Sequence, residues 1–135
     1  MFRRILSITI ALLLLGTFVG ARVSPSDTRL LSQPAVSATH VAFVYAGDLW
    51  SATLAGGDVR RLTTSQGEIN NPAFSPDGRT IAFSADYDGN TDVYTVPVTG
   101  GAPTRLTWHP GADVVQGFTP DGRSVLFTSA RNVFT

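Results

Sequence analysis

The chain contains no cysteine. It can form no disulfide, hold no metal through thiolates and offer no cysteine nucleophile. Lysine is missing too, since all ten basic residues are arginine. That excludes a lysine Schiff base or lysine general base within these residues. Net charge is zero and no basic block occurs, so the electrostatic footprint of a nucleic-acid binder is lacking. Charged residues amount to 15% against 43% hydrophobic, the balance of a folded chain rather than a disordered one. At 135 residues, there is enough chain for one small domain.

Long apolar runs are confined to the N-terminus. Met1-Phe2-Arg3-Arg4 is a short cationic start, followed by an almost unbroken apolar run from Ile5 to Val19. Val19-Gly20-Ala21 supplies small residues where a signal is cut, so residues 1–21 read as an export signal cleaved after Ala21. The alternative is an uncleaved anchor, although the run is shorter than the roughly 20 residues a span needs. No cysteine follows the run, which excludes a lipoprotein anchor. Cleavage would leave eight arginines against ten acids, a charge of −2. Residues 22–33 read as a linker, and the mature product is expected in the periplasm.

Beyond the linker the sequence repeats with a period of 44 residues. Arg61-Leu62-Thr63 returns as Arg105-Leu106-Thr107, and Gly56-Gly57 as Gly100-Gly101. Ser75-Pro76-Asp77-Gly78-Arg79 returns as Thr119-Pro120-Asp121-Gly122-Arg123, and Asp48-Leu49-Trp50 as Asp92-Val93-Tyr94. A period of this length, filled with short strand-like segments, is the pattern of a propeller blade. The clearest unit predicts strands at Pro72–Ser75, Thr80–Ser84, Thr91–Val96 and Thr104–Thr107. Pro76-Asp77-Gly78, Asp88-Gly89-Asn90 and Gly100-Gly101 supply the turns. Val93 and Thr95 should share one face, Tyr94 and Val96 the other.

The preceding unit aligns Pro34-Ala35-Val36 and Val41-Ala42-Phe43 with the same frame, with Asp48–Thr53 and Val59–Thr63 as its later strands. A third unit offers Gln116–Thr119 and Ser124–Thr128 before the sequence stops. The expected fold is therefore all-β: a partial β-propeller across residues 34–135. It has about two four-stranded antiparallel blades, 34–64 and 71–107, plus the first half of a third, 115–135.

Several residues invite a functional reading. Phe43, Phe83 and Phe127 recur at one strand position, as do Phe74 with Phe118 and Trp50 with Tyr94; they read as packing layers between blades, with ligand stacking as the alternative. His40 opens a strand and His109 precedes Pro110 in a turn. With no Gly-x-Ser-x-Gly elbow, neither histidine is assigned to catalysis. Asp86, Asp88, Asn90 and Asp92 alternate as in a calcium loop. The glycine and the twelfth-position glutamate of an EF-hand are misplaced or missing, so a hairpin turn is the preferred reading. Arg61 and Arg105 read as charges blunting a sheet edge; lining a peptide passage is the alternative. No catalytic, cofactor-binding or metal residue is assigned, and no cofactor is expected.

The repeat Pro-x-Phe-Ser-Pro-Asp-Gly-Arg-x-Ile-Ala-Phe resembles those of TolB and tricorn-type propellers. Phe43–Trp50, Tyr87–Tyr94, Leu106–Asp113 and Phe127–Asn132 resemble more narrowly the N-terminal propeller of tricorn proteases. The resemblance covers about Leu30 to Thr135. It implies a large serine peptidase of several domains in which a six-bladed first propeller passes or filters peptides. The catalytic serine and histidine would lie in a later core, after a second propeller and a PDZ-like module. It also implies a homo-oligomer, with peptides or the later peptidase domains as partners; membrane contact is expected only through the N-terminal segment. On this reading the sequence is a fragment of such a peptidase that carries none of its catalytic motif. A TolB-like protein-binding propeller is the alternative, as is a propeller fused to another hydrolase such as an amidohydrolase or prolyl-oligopeptidase-type enzyme.

Overall fold

The computed structural model describes residues 31–64 and 67–131. The expected signal segment, 1–21, lies outside them. The described residues form ten strands and no helix. The first sheet contains β1 (Leu31–Val36), β2 (His40–Tyr45), β3 (Asp48–Thr53) and β4 (Arg60–Arg61). The second contains β5 (Ile69–Phe74), β6 (Thr80–Asp86), β7 (Thr91–Pro97) and β8 (Thr104–Arg105). The third pairs β9 (Asp113–Phe118) with β10 (Val125–Ser129). In each four-stranded sheet the spatial order is the chain order, and every pairing is antiparallel. These are the blades of a partial propeller, as the repeat predicts.

Alternation along the strands builds two apolar layers. On β6, Ile81, Phe83 and Ala85 face one way, into a layer with Ala42, Val44 and Leu49 of the first sheet. Tyr94 and Val96 of β7 join that layer. Ala82 and Val93 face the other way and pack with Val115 of the third sheet. The middle sheet is therefore covered on both sides, which explains why Ile81 to Ala85 are buried without a break. Ser84 is the polar member of that run, and its Oγ accepts the Val115 backbone N–H at 2.8 Å. Phe83 is wholly buried and stacks on Tyr94, its cross-strand partner, at 5.7 Å.

Three expectations are corrected. The fourth strands are only two residues long, against the predicted Val59–Thr63 and Thr104–Thr107. Beyond them the Thr63 hydroxyl takes the Leu49 N–H at 2.9 Å, and the Thr107 hydroxyl takes the Val93 N–H at 3.0 Å. A side chain thus replaces the carbonyl that a longer strand would supply. The first strands begin earlier than predicted, at Leu31, Ile69 and Asp113. Phe127 is 38% exposed rather than a packing layer; no described sheet covers its face of β10, and Arg131 lies over its ring at 5.6 Å.

Candidate functional site

The first strands β1, β5 and β9 lie side by side, each with one edge unpaired among the described residues. Each carries a bulge at the same place. In β1 the register breaks between Ser32 and Ala35, so Gln33 and Pro34 together oppose Phe43. In β5 it breaks between Asn70 and Ala73, where Asn71 and Pro72 oppose Phe83. In β9 the break leaves Gln116 as the extra residue. Gln33 and Asn71 both have φ of 54°, a left-handed conformation uncommon outside glycine. Each precedes a proline, which disfavours the right-handed helical region for the residue before it. The bulges border a groove of about 270 Å³ with no charged side chain in its lining. Gln33 Nε2 donates to Asn70 Oδ1 across two blades at 3.4 Å.

A second cleft, of about 410 Å³, lies between the β5–β6 and β9–β10 turns. Each turn is held by the same pattern of hydrogen bonds. Ser75 Oγ donates to Asp77 Oδ1 at 2.6 Å, and the Arg79 N–H donates to the same oxygen at 3.1 Å. Thr119, Asp121 and Arg123 repeat these bonds at 2.5 and 3.1 Å. Hydrogen bonds from Ser75 and Thr119 hold the Asp77 and Asp121 carboxyls below the usual range. Gly78 and Gly122 both sit at φ of 69°; a Cβ on Gly78 would press on Ser37 of the preceding turn at 3.3 Å, and one on Gly122 would touch Pro76 at 3.4 Å.

The repeated arginines are not simple edge charges. Arg61 donates to Asp48 Oδ2 at 2.5 Å while Thr63 Oγ1 donates to Oδ1 at 3.0 Å. Arg105 and Thr107 treat Asp92 the same way, at 2.5 and 2.9 Å. Each clamp ties the end of a blade to the start of its third strand. A related clamp holds Asp113 of β9, which accepts from Ser129 at 2.5 Å and Arg131 at 2.7 Å. Burial pulls the Asp113 carboxyl upward, but the bonds from Ser129, Arg131 and Thr107 outweigh it and leave it below its ordinary value.

The acidic loop serves the same clamp. Asp88 pairs with Arg105 at 3.1 Å, and Asn90 donates to Asp92 at 3.1 Å. Three of its four polar residues, Asp88, Asn90 and Asp92, are thus engaged by Arg105 or by one another. Among the described residues no three metal-ligating side chains converge. His40 Nδ1 meets Thr39 Oγ1 at 2.8 Å, and His109 Nδ1 accepts the Gly111 N–H at 2.9 Å. Neither imidazole bonds a serine hydroxyl. Tyr87 Oη is buried without a hydrogen-bond partner among the described residues, and burial pushes its pKa up to about 12. The bulge amides Gln33, Asn71 and Gln116 escaped the sequence reading. The signal was Gln33-Pro34 and Asn71-Pro72 within strands, where proline marks an edge or a bulge, and Gln116-Gly117, where a strand glycine does the same.

Stacked antiparallel meanders whose first strands converge define a β-propeller. The chain belongs to the tricorn protease N-terminal propeller family: the family model described as "Tricorn protease N-terminal beta propeller domain" matches residues 28–135. The tricorn protease of Thermoplasma acidophilum is 42% identical over 53 residues, 39% of this chain and 5% of that protein. Tricorn protease homolog 1 of Streptomyces coelicolor is 37% identical over 54 residues, 40% of this chain and 5% of that protein. The chain thus matches only a small part of the length of these curated relatives. Among solved structures, a crystal structure of the tricorn protease superposes with a TM-score of 0.64 at 31% identity. That match covers 73% of this chain and 10% of the other. TolB from Acinetobacter baumannii superposes at 0.61 and 28% identity, covering 75% of this chain and 27% of the other.

Proposed function

We propose that this chain is a non-catalytic peptide-handling module that binds or gates unfolded peptides for an exported tricorn-type serine peptidase. The observation that carries the reading is the convergence of β1, β5 and β9 on one uncharged groove. Free strand edges offer backbone N–H and C=O groups that pair with an extended chain. Chemistry belongs to other domains of such a peptidase, and assembly of the whole protein into a homo-oligomer is part of the same proposal. A TolB-like protein-binding propeller is the second reading, favoured by the likeness to TolB.

The test is fluorescence anisotropy of labelled, unstructured decapeptides titrated with this chain, with mass spectrometry of the peptides afterwards. The reading expects saturable binding and intact peptides. Binding of folded proteins but of no peptide would favour the TolB-like reading. Cleavage lost on a single serine or histidine substitution would overturn the non-catalytic role. For export, the product recovered from a periplasmic fraction should begin at Arg22; a soluble cytoplasmic product with Met1 intact would remove that part.

A further inference from the structure

Three neighbouring strands break their ladder at the same level, and each break carries a side-chain amide: Gln33, Asn71 and Gln116. A bulge re-aims the side chain it carries and ends local pairing. Left-handed backbone at a non-glycine residue costs energy and persists only where surrounding structure enforces it. Here it occurs twice, at equivalent positions, with the same φ of 54° and a side-chain amide each time. These amides are exposed and border one groove, together with Pro34, Pro72 and Val115.

A carboxamide has one acceptor oxygen and two N–H donors. It therefore matches a peptide group, which presents one N–H and one C=O. It does not distinguish acidic from basic side chains, as an arginine or aspartate would. Pro34 and Pro72 lack an N–H, so the chain beside Gln33 and Asn71 offers carbonyl acceptors without a competing donor, while Gln116 is followed by Gly117. The groove's lining holds nothing ionisable.

We propose that Gln33, Asn71 and Gln116 form an amide collar that grips the main-chain amides of an extended peptide, whatever the charge of its side chains. The proposal rests on the peptide-handling reading and assigns it a site and a selectivity. Its ligand class is the secondary amide, so blocking ligand N–H groups should abolish the grip while changing ligand charge should not.

The test uses NMR of the ¹⁵N-labelled chain, following the side-chain NH₂ signals of Gln33, Asn71 and Gln116. The probes are end-blocked Ala-Gly hexapeptides that are neutral, doubly acidic or doubly basic, and a neutral version with alternate nitrogens methylated. The expected result is a saturable shift of all three NH₂ pairs, with Kd equal within about threefold across the charged set. N-methylation should weaken binding at least about tenfold. Asn71→Gly keeps the backbone free to hold φ of 54° while removing the amide, and with Gln116→Ala it should also weaken binding at least about tenfold while the dispersion of the remaining spectrum is unchanged. Peptide binding that leaves the three NH₂ pairs unmoved, follows charge, or survives the double variant would overturn the collar and leave peptide handling standing. A chain that binds none of the peptides would overturn both.

Discussion

Phe83 shows how one repeated residue sets a packing layer. It lies at 0% exposure between two sheets, stacked on Tyr94 and opposite the β5 bulge. Phe83→Ala should cost about 3–5 kcal/mol, the range for deleting a buried aromatic ring. Denaturant melts check this, and a loss below about 1 kcal/mol would place the ring at the surface. Phe127, at the same repeat position, should cost far less because its face is uncovered. The clamps give a second contrast. Arg105 serves Asp92, whose carboxylate is fully buried, and Arg105→Ala should cost roughly 3 kcal/mol, as for breaking a buried pair. Arg61 is itself about half exposed, so Arg61→Ala should cost about 1 kcal/mol or less. Paired melts of the two variants decide whether burial controls the clamp. Equal costs would contradict it.

The turns and strands explain which elements were legible in the sequence. Ser75-Pro76-Asp77-Gly78 and its repeat announced themselves because each residue type has a fixed job in the turn. The first blade does the same with less: Ser37 Oγ takes the His40 N–H at 3.0 Å, closing a turn two residues shorter. The short fourth strands were not legible, because a threonine hydroxyl does a carbonyl's work and no strand propensity encodes that exchange. Nor were the bulges, which require knowing that two residues oppose one across the ladder. The carboxylates of Asp77, Asp113 and Asp121 are all held below their ordinary pKa. Their contribution is complete above the unfolded value of about 4 and fades as pH falls through the lower folded values. Stability should therefore be flat from neutrality to about pH 5 and drop below about pH 4. Asp113→Asn should flatten that drop in urea melts taken across pH. A drop equally steep in the variant would remove Asp113 from the account.

At the scale of the whole molecule, the repeat made the architecture readable while the candidate site stayed hidden. The 44-residue offset placed strands, turns and packing faces. The groove exists only because three first strands, separated by some forty residues each, meet at their bulges. Arg61 and Arg105, for which lining a peptide passage was the alternative reading, have their charges used by Asp48 and Asp92. The central claim is that these converging inner strands handle peptide. It is tested most directly by hydrogen–deuterium exchange mass spectrometry of this chain with and without a saturating unstructured peptide. The account predicts added protection confined to Leu31–Val36, Ile69–Phe74 and Asp113–Phe118. Protection centred instead on the turns at residues 75–80 and 119–125, or none at saturation, would contradict it.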